Sequence, residues 1–141
     1  MEHLLYGCEH YSAPLWAEFS SALSACTQHL IGHDIPQIQL TPREIIFNAM
    51  HPTIAHHITD AHTKSVLSLT IQEIKRNIIY KRMNTQQNDD DQPVPVIRIQ
   101  AHLLNVLKKT ASYLSYQGTS KTNLSLSFIQ LLTQKLTDRI A

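Results

Sequence analysis

Nine histidines, eight of them before residue 63, are the side chains of this sequence best suited to hold a metal or carry a proton. Cys26, His29 and His33 stand in a C-x2-H-x3-H spacing. On a helix that brings a thiolate and two imidazoles to neighbouring turns, the S and N donors that zinc takes. A structural zinc site uses about four ligands and three occur here, and Cys26 falls in the middle of an apolar seam, where a small buried thiol is the simpler role. Cys8 and His10 complete a site only if the lead segment folds back onto that helix. A second group, His51, His56, His57, Asp60 and His62, sets His56 one helical turn from Asp60. That spacing suits a metal or a carboxylate-held imidazole, but it is not an H-E-x-x-H arrangement. A solvated face that responds to pH is the physical alternative, because histidine titrates near neutrality. No metal and no cofactor are expected.

Nucleophilic chemistry finds no footing either. Neither cysteine nor any serine lies in a signature such as G-x-S-x-G, and three glycines leave no loop to cradle a phosphate. No catalytic residue is assigned, and a binding protein is expected rather than an enzyme.

Charge is organised where catalytic groups are not. Residues 1–60 hold six acids against one base, Arg43, whereas residues 61–141 hold eleven bases against five acids. A net charge of +1 hides this polarity. It suits an acidic partner for the second half or self-complementary assembly, with an internally paired surface as the bland alternative. Lys75, Arg76, Lys81, Arg82, Arg98, Lys108 and Lys109 are the expected contacts to a nucleic-acid backbone or an acidic partner.

The elements that must position these groups read as helices. Ser12 is placed to cap a helix with Pro14 in its first turn, and Trp16, Phe19, Leu23, Cys26 and Leu30 follow at steps of three and four until Gly32 ends it. His33–Leu40 has no helical period. Thr41, Pro42, Arg43 and Glu44 form a capping box that starts a helix, and Pro52 breaks the chain at His51 and opens another. Thr70–Glu73 is a second capping box, favouring a fresh or continued helix whose apolar face is Ile71, Ile74 and Ile78. Asn84–Pro95 is polar, acidic and closed by prolines, and is expected to be a flexible loop. Val96–Gly118 sets Ile99, Leu103, Val106, Leu107 and Leu114 on one face, with Arg98, Asn105, Lys109, Ser112 and Tyr116 on another. Asn123 caps a last helix carrying Leu124, Phe128, Leu131, Leu132 and Leu136.

Leu40–Glu44, followed by a short helix with Ile54 and Ala55, resembles the opening of the helix-turn-helix domain of LuxR-type transcription regulators. It covers about a quarter of the chain, and beyond it the expected first-turn glycine is absent and the recognition-helix spacing differs. The family is not assigned on this ground. What stands beyond the resemblance is geometry: two short helices, then the helix of Lys75, Arg76, Lys81 and Arg82. With the acidic loop as a wing and the β-tolerant VPVIRI run as its strand, the arrangement suits a winged helix-turn-helix. Asp89, Asp90 and Asp91 at the wing tip would repel phosphates.

Composition bounds the whole. A chain of 141 residues with 43% hydrophobic content suits one domain with a real core, and few glycines disfavour a β-sandwich or barrel. No apolar run approaches the roughly 18 residues of a membrane span, and the start MEHLLYGCEH lacks the basic residues of a signal peptide. The expectation is a cytoplasmic, single-domain, all-α or nearly all-α compact bundle of five or six helices, with room for a small β-hairpin flanking residues 84–95. Its expected function is non-enzymatic binding within a nucleic-acid-associated regulatory or defence complex. The alternative is a helical protein–protein adaptor, such as a secretion chaperone, assembly subunit or inhibitor, without nucleic-acid contact.

Overall fold

The computed structural model describes residues 11–84, 94–117 and 122–140, without the side chains of residues 81–84, 116–117 and 122–125. Among them run six helices: α1 (Ser12–Ile31), α2 (Pro42–Ile45), α3 (Pro52–His57), α4 (Ala61–Asn84), α5 (Val96–Gln117) and α6 (Thr122–Ile140). The four long helices form the body, with α6 against α1, α4 and α5, and α5 also against α1 and α4. The expected all-α fold is what the chain adopts, and among the described residues there is no strand.

The apolar seam of α1 dictates its packing. Leu15, Trp16, Phe19, Leu23 and Cys26 are buried, while Leu30, at the helix end, is half exposed. Gly32 stops the helix at φ 81°, a left-handed conformation that glycine adopts without a Cβ penalty, and its N–H reaches the carbonyl of Gln28. The cap position at the other end belongs to Tyr11, so Ser12 is the first helical residue and is buried rather than capping. Buried hydroxyls on this face are satisfied locally: Ser24 Oγ donates to the Ser20 carbonyl at 2.8 Å and Thr27 Oγ1 to that of Leu23 at 2.8 Å.

The connection from α1 to α4 lies on the core rather than apart from it. Ile38, Leu40, Ile45, Ile54 and Ile58 are buried in the same apolar cluster as the long helices. Ser24 Oγ accepts the Ile38 N–H at 2.8 Å, and Gln28 Nε2 donates to the Ile35 carbonyl at 3.1 Å, which together fasten the extended stretch to α1. At α2 the Glu44 carboxylate reaches back to accept from the Thr41 N–H at 2.9 Å, the glutamate's part in the capping box, and the Thr41 hydroxyl donates to the same carboxylate at 2.9 Å. The helix is nevertheless one turn long. Asn48 takes φ 59°, a left-handed conformation asparagine tolerates better than most residues, so the chain turns before Pro52 is reached.

Of the two readings of Thr70–Glu73, the continued helix is the one adopted: Thr70 lies inside α4 with its hydroxyl donating to the Val66 carbonyl at 2.8 Å. The true start is Asp60, whose carboxylate accepts from Thr63 N–H at 2.9 Å and Thr63 Oγ1 at 2.7 Å. Val96–Ile99 is the first turn of α5, not a strand, because Ile99 and Leu103 bury one helical face against the bundle. The β-hairpin and the wing are therefore withdrawn. Residues 85–93 of the acidic loop, Gly118, and Cys8 and His10 of the lead lie outside the described residues.

A three-residue network joins α1, α5 and α6. Glu18 accepts from Gln100 Nε2 at 2.8 Å and from the Arg139 guanidinium at 2.9 and 3.3 Å. Burial alone would raise the Glu18 pKa, but hydrogen bonds from Arg139 and Gln100 and the charge of Arg139 outweigh it and hold the carboxyl below its ordinary range.

Candidate phosphate-binding cleft between α4 and α5

A polar stripe runs along α5. Arg98, His102, Asn105, Lys109 and Ser112 recur at steps of four and three, the same spacing that sets an apolar seam. Opposite this stripe α4 offers Asn77. Between the two helices lies an open cleft of about 440 Å³, lined by Asn77, His102, Asn105, Lys108, Lys109 and Ser112.

Behind the cleft sits Tyr11. Its hydroxyl donates to Asn77 Oδ1 at 3.4 Å and lies 3.2 Å from His102 Nδ1, with the two rings edge to face at 5.7 Å. A phenol has one proton, so when it goes to Asn77 the imidazole Nδ1–H must supply the other bond. That relay survives both with the neutral Nδ1–H tautomer and with the imidazolium. Burial pushes the Tyr11 hydroxyl up to about 12, which keeps it a neutral donor at physiological pH.

The chemistry of this lining is one-sided. Two ammonium groups, two side-chain amides, a hydroxyl and an imidazole can all donate, and among the described residues no carboxylate lines the cleft. Glu73, one turn before Asn77 on α4, is ion-paired with Arg76. An arrangement of this kind favours an anion with several acceptor oxygens, and lysine meets such a group as a point charge.

The other residues expected from the sequence are dispersed. Lys75 is half-buried and Arg76, though exposed, is engaged by Glu73. Lys81 and Arg82 stand in the last turns of α4, with side chains outside the described set. Arg98 is exposed at the start of α5, about 15 Å along the axis from Lys108 at about 1.5 Å per residue. Of the five whose side chains are described, Lys108 and Lys109 line the cleft. Asn77 and Tyr11 had no sequence signal, since their contacts join positions 66 and 91 residues apart.

The metal candidates do not converge. Cys26 is fully buried, with its thiol pushed up to about 12 by burial, while His29 and His33 are exposed. Among the described residues no group of three or more His, Cys, Asp or Glu side chains could hold a metal ion. His51 instead caps α3, its Nδ1 accepting from Thr53 N–H at 3.2 Å, and Asp60 serves α4 rather than His56. His33, His57 and His56 form a chain of edge-to-face rings at 5.8 and 4.8 Å.

No helix among the described residues is long and apolar enough to cross a membrane. Comparison with known proteins adds no relative: no family model, no curated protein and no solved structure matches the chain.

Proposed function

We propose that this is a non-enzymatic, cytoplasmic binding protein whose basic second half lies along a nucleic-acid backbone within a larger regulatory or defence complex. The observation that supports it best is the donor-rich cleft, lined by Lys108 and Lys109 together with Asn77 and Asn105 and, among the described residues, by no carboxylate. Lysines that neutralise phosphates release counterions, which makes binding independent of sequence and steeply dependent on salt. Anisotropy of labelled single-stranded and double-stranded DNA and RNA, across a salt series, tests the reading. Binding that weakens as salt rises supports it, and no binding at low salt contradicts it.

A helical adaptor is the second reading, and exposed apolar side chains favour it. Phe47 is 75% exposed and Ile97 66%, with Val96 beside the latter. Large apolar groups in water mark contact surfaces when they are grouped. A protein partner that co-purifies after nuclease treatment, with no nucleic-acid binding, selects this reading over the first.

A further inference from the structure

We propose that the cleft between α4 and α5 is a phosphoryl-binding site, in which the Tyr11 hydroxyl holds the Asn77 amide turned to receive one phosphate group of a nucleic-acid strand. The source of that phosphate rests on the nucleic-acid reading above; the geometry of the site does not.

Three features carry the inference. First, Tyr11 bonds the oxygen of Asn77, so the amide nitrogen on the same carbon points away from Tyr11. Asn77 lines the cleft, and it presents there as a donor. Second, the donors come from two helices and flank an open cleft rather than a line: Asn77 from α4, and Asn105, Lys108, Lys109 and Ser112 from about two turns of α5. A tetrahedral oxyanion takes donors from several directions, whereas a planar carboxylate is best met by the fork of arginine, and among the described residues no arginine lines this cleft. Third, a cleft of about 440 Å³ admits one phosphate with its adjoining sugar, not a folded partner.

Tyr11 is a positioning residue in this account. Replacing it by phenylalanine keeps the ring and its edge contact with His102 but releases the Asn77 amide to turn over.

Nuclear magnetic resonance of the full chain with inorganic pyrophosphate tests the site, and anisotropy with a labelled oligothymidylate tests its source. Pyrophosphate is expected to shift the side-chain amide resonances of Asn77 and Asn105. Lys108→Gln with Lys109→Gln should weaken oligothymidylate binding about tenfold or more, and Tyr11→Phe several-fold, with helical content unchanged. Tyr11→Phe should also reduce the pyrophosphate-induced shift of the Asn77 side-chain amide while leaving the chemical-denaturation midpoint close to that of wild type, a split that a merely structural role would not give. Oligoglutamate should bind far more weakly than oligothymidylate.

Unmoved Asn77 and Asn105 amides overturn the site, as does oligothymidylate binding that ignores all three substitutions, although the nucleic-acid reading then stands. Pyrophosphate in the cleft without oligothymidylate binding supports the site and overturns its source. Equal binding of oligoglutamate overturns the phosphate assignment and makes the cleft a seat for an acidic protein.

Discussion

Tyr11 does two jobs that can be separated by titration. Its hydroxyl orders Asn77 and His102, and its burial raises its pKa from 10.0 to about 12. A group raised in the folded state contributes stability that is whole below its unfolded pKa and is lost as pH climbs through the folded one. Stability of the wild-type chain should therefore fall between pH 10 and about 12 more steeply than that of Tyr11→Phe, as urea midpoints at each pH would report. Parallel curves would mean that Tyr11 is solvated. Glu18 runs the other way. Its lowered pKa means that its contribution is present above the ordinary value of 4.5 and is lost as pH falls through the lower folded value. Arg139→Gln should reduce stability at neutral pH and flatten the acid limb, which chemical denaturation below pH 5 can measure; an unchanged acid limb would show that Arg139 does not hold the carboxylate.

At the scale of elements, the stretch between α1 and α4 is fixed by few hydrogen bonds to α1. Ser24→Ala removes the acceptor of the buried Ile38 N–H. A buried donor left unmade costs about 1–3 kcal/mol, so the variant should be less stable by that amount, read from its lower denaturant midpoint. A change below about 0.5 kcal/mol, the ordinary range for surface substitutions, would show that water replaces the hydroxyl. These same elements show what the sequence could convey. The seam of α1, the Gly32 stop, the Thr41 capping box and the apolar face of α5 were legible because each is written within one or two turns of chain. The turn at Asn48 and the helix start at Asp60 were not read from the sequence: the first is a backbone conformation, the second one carboxylate accepting from Thr63, and the neighbouring prolines and histidines offered louder signals. Thr70–Glu73 has the composition of a helix start, yet the burial of Val66, Leu67 and Ile71 on one continuous face carries the helix straight through it.

For the molecule as a whole, charge was legible and geometry was not. The excess of bases in the second half is plain from the sequence, and Lys108 and Lys109 were singled out with five others. Which of the seven share a cleft depends on α4 and α5 lying side by side, and on Tyr11 reaching both from the far end of the chain. Arg76 looked like its neighbours until Glu73, three residues earlier, was seen to hold it. Charge reversal at Arg76 should accordingly alter nucleic-acid affinity less than the same change at Lys108 or Lys109, a ranking that a panel of single variants can test; equal effects would spread the interface over all of α4.

The most direct measurement is the salt dependence of oligothymidylate binding for the wild-type chain and for Lys108→Gln with Lys109→Gln. Each lysine that neutralises a phosphate adds about 0.7 to the slope of log affinity against log salt on a single strand. The double variant should bind more weakly and lose about one or more from that slope. A slope identical to the wild type, or no binding by either protein at low salt, would contradict a phosphate-binding cleft as the seat of nucleic-acid recognition.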